Sequence, residues 1–134
     1  MKISEVATIL EAEVLTGEDM LDCEVHSACG SDMMSDVLAY VKEEGILLTG
    51  LINVQVIRTV LMMDMSCVVF VRGKRPPEGI IEFAADSGVA VLQTELPMFE
   101  SCGRLYEAGL GRVKAEDDDS DADYAAAENG EADV

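Results

Sequence analysis

The sequence predicts an α/β fold, a three-layer sandwich with a mostly parallel central sheet. Two observations predict the fold and a third sets its size. Between Ile46 and Thr94, short apolar runs alternate with stretches of helical period: ILLTG at 46–50, a helical run at 53–65, CVVFV at 67–71, a second helical run at 77–87, and VAVLQ at 89–93. Strands separated by helices of this length pair in parallel through crossovers, and strands that are apolar at every position are covered on both faces. The chain has 134 residues, of which the last twenty are mostly acidic or small, leaving material for one domain with one core.

In chain order, Ile3, Val6, Ile9 and Leu10 share a helical face, with Ser4 placed to cap it. AEVLTG at 12–17 reads as a short strand with a turn through Glu18 and Asp19. CEVHSAC at 23–29 reads as an edge-like extended segment, Val25 and Ser27 facing one way and Glu24, His26 and Ala28 the other. Gly30-Ser31-Asp32 is a turn with a helix N-cap, followed by a helix over 33–44 carrying Met34, Val37, Leu38 and Val41 and stopped by Gly45. Asn53 caps the next helix, whose buried stripe reads Val54, Ile57, Val60 and Leu61. Pro77 suits the first turn of the helix that carries Ile80, Ile81, Phe83 and Ala84 and stops at Gly88. A last helix starts after Thr94–Pro97, with Phe99, Cys102, Leu105 and Tyr106 inward and Gly109 at its end.

The formal net charge is −18, and residues 115–134 carry half of it: nine acids and no base. A surface of that sign repels phosphate backbones and anionic lipid, which argues against nucleic acid or membrane as partner. The start, MKISEVATILEAE, has no uninterrupted apolar run, so neither a signal peptide nor an anchor is expected, and the expected location is cytoplasmic. Trp is absent and aromatics make up 4 %, so the core must be aliphatic and Met-rich. Met62, Met63 and Met65 cluster at one helix end, as core filling or as an adaptable contact surface. Cys23, Cys29, Cys67 and Cys102 are scattered, as free thiols in a reducing compartment are. The division is a domain at 1–112 and an acidic tail at 113–134, too polar to offset its ordering entropy and so expected to be disordered. Asp117, Asp119, Asp121, Asp123 and Glu128 fall at the spacing of a calcium loop, but Ala122 stands where that loop needs Gly and no helices flank it.

No catalytic constellation is present. Cys23, His26 and Cys29 approach metal-ligand spacing, yet on a strand His26 faces away from both cysteines, and no metal site is expected. Glu78 and Glu82 share a helical face and read as helix-start charge on a solvated side. Ligands of open parallel sheets bind past the carboxyl ends of the strands. Those ends hold Thr49, Gly50 and Asn53, then Arg72, Gly73, Lys74 and Arg75, then Thr94. The middle group is the only dense basic cluster. Hydroxyls from Thr49 and Thr94, backbone approach at Gly73, and helix N-termini at Asn53 and Pro97 are suited to an anion, although no Walker-type or Gly-x-Gly-x-x-Gly pattern occurs.

From Ile3 to about Leu110 the chain resembles the DRTGG domain. The resemblance rests on SEVATILEAEVLTGED, on the strand–Thr-Gly–helix at 46–61, on the strand and loop at 67–77, and on VAVLQTELPMFESCGRLYE. It implies an α/β fold like the N-terminal domain of HPr kinase and frequent homodimerisation. DRTGG domains occur beside CBS domains in regulatory pyrophosphatases and at the end of some phosphotransacetylases, as regulatory or dimerisation modules, some taking part in adenine-nucleotide binding. The sequence departs from the eponymous motif. It has Thr49-Gly50-Leu51 where the family often has Gly-Asp-Arg, and Val71-Arg72-Gly73 where the family often has Thr-Gly-Gly, so only Gly50 and Gly73 carry over.

The expected function is a non-enzymatic regulatory module without a cofactor: a homodimer that senses a small anionic ligand, such as an adenine nucleotide, or docks a partner protein. The alternative is a purely structural interaction module with no small ligand.

Overall fold

The computed structural model describes residues 1–39 and 44–111. The chain runs α1 (Ile3–Ile9), β1 (Glu13–Thr16), a 3₁₀ turn (Glu18–Met20), β2 (Ser27–Gly30), α2 (Met34–Leu38), β3 (Gly45–Thr49), α3 (Val54–Met62), β4 (Cys67–Phe70), α4 (Glu78–Asp86), β5 (Ala90–Gln93) and α5 (Met98–Glu107). The sheet order is β1-β5-β4-β3-β2. β2 to β5 are parallel, while β1 pairs with β5 antiparallel, so the sheet is mixed.

Strands β3 and β4 are buried at every position because both of their faces are covered. Along β3, Ile46 and Leu48 face one core and Leu47 the other; along β4, Cys67 and Val69 oppose Val68 and Phe70. One core joins these strands to α1 and α5 through Ile3, Val6, Leu10 and Leu105. The other joins them to α2, α3 and α4 through Met34, Val37, Val56, Ile57, Val60 and Ala84. Each fully buried Val, Leu or Ile among them stabilises the fold by roughly 1.5–3 kcal/mol relative to exposure. The three layers and the mostly parallel sheet are those the sequence predicts.

Several local expectations are corrected. Helix α2 ends at Leu38, and Glu44, expected inside it, has a left-handed backbone at φ 52. Gly45 starts β3 instead of stopping a helix. Val41, the acidic tail and its calcium-like spacing lie outside the described residues. In α3, Val56, Ile57, Thr59 and Val60 are buried, while Val54 and Leu61 face outward. Six of its nine residues are apolar, so its apolar arc is wider than the face it buries. Asn53 occupies the N-cap position without a side-chain bond, and Pro77 is the N-cap of α4, one residue before its first turn. At α1 the cap is Lys2, one residue ahead of Ile3, with Glu5 Oε1 accepting from the Lys2 N–H at 2.7 Å; Ser4 lies inside the helix.

Helix α5 is rotated from its expected face. Ser101 and Leu105 are buried, whereas Phe99 is 90 % exposed and Tyr106 is exposed. Two contacts set the rotation. Cys102 and Met98 fill the space beside Gly30, where a Cβ would stand 2.6 Å from Cys102 Sγ. Arg104 Nη1 donates to Ile9 O at 3.2 Å and to Glu11 Oε2 at 3.1 Å, tying α5 to the end of α1.

Candidate functional site

The carboxyl ends of β2, β3, β4 and β5 lie side by side in sequence order, so their loops form a row across one end of the sheet. Helices α2, α3 and α4 all pack in one layer. The parallel strands therefore never reverse order, and the crevice of a doubly wound sheet is absent among them.

Asp32 joins this row, and sequence reasoning treated it only as a helix cap. The N-cap of α2 is Met33, whose N–H donates to Ser31 Oγ at 3.0 Å. Asp32 instead reaches across to β3 and β4. Its Oδ1 accepts from Gly50 N–H at 2.7 Å and from the Thr49 hydroxyl at 3.0 Å; its Oδ2 accepts from Arg72 Nη1 at 3.3 Å. These contacts hold the carboxyl below the usual Asp range. The Gly50 N–H is the largest cause; partial burial opposes it, and the Thr49 hydroxyl and Arg72 add to it.

The loop after β4 is built to place Arg72 there. Arg72 and Gly73 both have left-handed backbones, φ 62 and 68, in a tight turn closed by the Lys74 N–H donating to Val71 O at 3.2 Å. For a non-glycine residue that conformation costs about 1–2 kcal/mol. It is held by Arg72 N–H donating to Leu96 O and Gly73 N–H to Thr94 O, at 2.8 and 2.9 Å. A Cβ on Gly50 would overlap the Arg72 guanidinium, so the absence of that side chain makes room for the charge.

The expected site residues divide. Thr49, Gly50 and Arg72 come together around Asp32. Gly73 is close to the Glu95 carboxylate, which would stand 2.6 Å from a Cβ there. Arg75 turns toward the other edge, to Gln93 Oε1 at 3.4 Å and Glu13 Oε1 at 3.7 Å. The Lys74 side chain is exposed and, among the described residues, makes no hydrogen bond or ion pair. Asn53 is exposed at the start of α3. Thr94 is buried and structural: its hydroxyl donates to Leu10 O at 2.7 Å and accepts from the Leu96 N–H at 3.2 Å. The loop's three cations thus stand among three acids, Asp32, Glu13 and Glu95. Those acids lie far away in sequence and escape a reading of local charge.

The remaining candidates are not assembled. His26 Nε2 pairs with Glu44 Oε1 at 2.7 Å on the surface, and Cys29 packs beside the core under α2. Burial pushes the thiol of Cys29 upward, with Asp36 and Cys102 adding to the shift. Cys67, fully buried, is pushed up to about 12. Among the described residues no cluster of three His, Cys, Asp or Glu could hold a metal ion, and no helix is long and apolar enough to cross a membrane. Glu78 and Glu82 are both exposed on α4.

Comparison with known proteins bears on the fold and the family. The family model described as the DRTGG domain matches residues 5–108. No curated protein matches the chain. Among solved structures, the chain is similar to the crystal structure of the CBS and DRTGG domains of the regulatory region of Clostridium perfringens pyrophosphatase, complexed with the activator diadenosine tetraphosphate. The TM-score is 0.65 at 17 % identity, covering 78 % of this chain and 45 % of that one. This chain therefore spans less than half the length of that regulatory region, and the likeness is one of fold.

Proposed function

The chain belongs to the DRTGG domain family, and on that premise we propose that it is a non-enzymatic, cytoplasmic regulatory module that takes a small anionic ligand at the carboxyl ends of β2, β3 and β4. One observation carries the reading: the backbone N–H of Gly50, the hydroxyl of Thr49 and the guanidinium of Arg72 already converge on an anionic group, the carboxylate of Asp32. An N–H, a hydroxyl and a guanidinium around one oxyanion also suit a phosphoryl group. Exposed Lys74 supplies a further charge, and the uncapped start of α3 supplies N–H groups. The proposed ligand class is the adenine nucleotides, in keeping with the diadenosine tetraphosphate held by the similar regulatory region. Thermal shift against ATP, ADP, AMP and diadenosine tetraphosphate tests the reading. Ligand at a hundred times its Kd stabilises the fold by about 2.7 kcal/mol, and no stabilisation by any of the four at millimolar concentration would contradict it.

A second reading, docking of a protein chain, is favoured by exposed apolar residues on α2 and α3 and in the turn ahead of α2: Met33, Leu38, Val54, Leu61 and Met62, with Met62 68 % exposed. The partner proposed is a second copy, giving a homodimer. Light scattering after size exclusion checks it; a monomer at micromolar concentration counts against it. The acidic tail is proposed to be a solvated extension that adds nothing to either site.

A further inference from the structure

We infer that Asp32 is an internal competitor for the ligand: the anionic group of an incoming phosphate compound displaces its carboxylate from Thr49, Gly50 and Arg72. The inference rests on the anion-sensing reading above and names its regulation.

Three observations carry it. First, Asp32 is not consumed by its own helix, because Ser31 takes the Met33 N–H and Met33 is the N-cap of α2. Second, the receiving groups are fixed more firmly than the carboxylate they hold. Thr49 is fully buried on β3, an inner strand paired on both sides, and Arg72 stands on a turn pinned by two backbone bonds to the loop after β5. Asp32 comes from the loop between the edge strand β2 and the five-residue helix α2. Third, the Asp32–Arg72 pair is open to water, its side chains 44 % and 42 % exposed at 3.3 Å. Exposed ion pairs of that kind contribute little to stability, so the Arg72 contact is readily exchanged for one to a ligand, which takes over the Thr49 and Gly50 donors as well. A left-handed arginine whose guanidinium fills the space a Cβ on Gly50 would take is a costly arrangement for so small a return in stability, and it is better accounted for by a site kept ready for an anion.

In this arrangement the ligand releases Asp32, and with it the segment that leads into α2. Occupancy at the strand ends is thereby transmitted to the layer of α2 and α3, where the exposed apolar residues lie.

Isothermal titration of the full chain and of Asp32→Ala and Asp32→Asn with ATP, and separately with inorganic phosphate, tests the inference. Removing the competing charge should tighten ATP binding about tenfold in Asp32→Ala, with a smaller gain in Asp32→Asn. A matching gain for inorganic phosphate would assign the exchange to the phosphoryl group alone. If the parent binds ATP and both variants bind equally or more weakly, the competitor role is overturned and the sensing reading stands. If parent and variants all fail to bind at millimolar ATP, both fall. Circular dichroism monitors folding. Should Asp32→Ala not fold, Asp32→Asn, which keeps an acceptor for Thr49 and Gly50, decides the matter alone.

Discussion

The Asp32 carboxylate meets the Arg72 guanidinium at 3.3 Å although the two residues lie 40 positions apart. They come together because β2 and β4 flank β3 and run parallel to it, so the loops after all three strands open at the same end.

Gly50 should tolerate substitution in the fold and not in the site. Its added Cβ would meet only the far end of the flexible Arg72 side chain. Gly50→Ala is expected to lower stability by about 1 kcal/mol or less in urea unfolding, since an exposed pair is lost. It should also abolish ATP-dependent stabilisation.

Gly73 should be less forgiving. At φ 68 any side chain is strained, and the Glu95 carboxylate occupies the adjoining space. Gly73→Ala is expected to cost more than the left-handed strain by itself, which is about 1–2 kcal/mol. Gly88→Ala, with φ 78 but open space around it, carries the strain alone and should cost less. Urea midpoints of the two variants give the comparison.

The sheet was legible before the site because strand identity is local and site identity is not. CVVFV at 67–71 declares a doubly covered strand by its own composition, and β4 is found at Cys67–Phe70. Asp32 takes its meaning from Thr49 and Gly50, 17 and 18 residues on, and from Arg72; only the pairing order of the strands brings them together. A clue was nonetheless available, since an acid directly after a parallel strand stands at the same sheet end as the basic loop. Helix faces were the other weakness. In α5 the aromatic Phe99 and Tyr106 looked like core, but burial there follows the contacts of Met98 and Cys102 beside Gly30 and the reach of Arg104 to Ile9.

The Asp32 contacts should appear in the pH dependence of stability. The carboxyl is lowered from 3.8 in the folded protein, so its contribution is fully present above that ordinary value and is lost as pH falls through the folded one. Near pH 7, Asp32→Asn is expected to be less stable than the parent by on the order of 1 kcal/mol, after allowance for solvent screening. The gap should close on acidification below the ordinary Asp value. A gap that stayed constant down to low pH would mean that the ionised form makes no special contact.

Thiol reactivity should follow burial. Cys23 is exposed, Cys29 and Cys102 are partly buried with thiols pushed upward, and Cys67 is fully buried. Alkylation at pH 8 followed by mass spectrometry should mark Cys23 first and Cys67 only on unfolding. Early labelling of Cys67 would mean that the central strand opens without global unfolding.

Thr94 should prove structural. Thr94→Val removes the bond to Leu10 O and the acceptor for Leu96 N–H. The expected loss is about 1–3 kcal/mol, because the buried Leu10 carbonyl is left without its hydroxyl donor. Ligand affinity per folded molecule should be unchanged, as titration calorimetry would show.

The most direct measurement of the central claim is an amide-resolved titration of the isotopically labelled full chain with ATP by nuclear magnetic resonance. The account predicts that the largest shifts fall on Gly50, Leu51 and the Arg72–Lys74 turn, with Asp32 and Met33 moving alongside them. Shifts confined to other surfaces, or none at millimolar ATP, would contradict it.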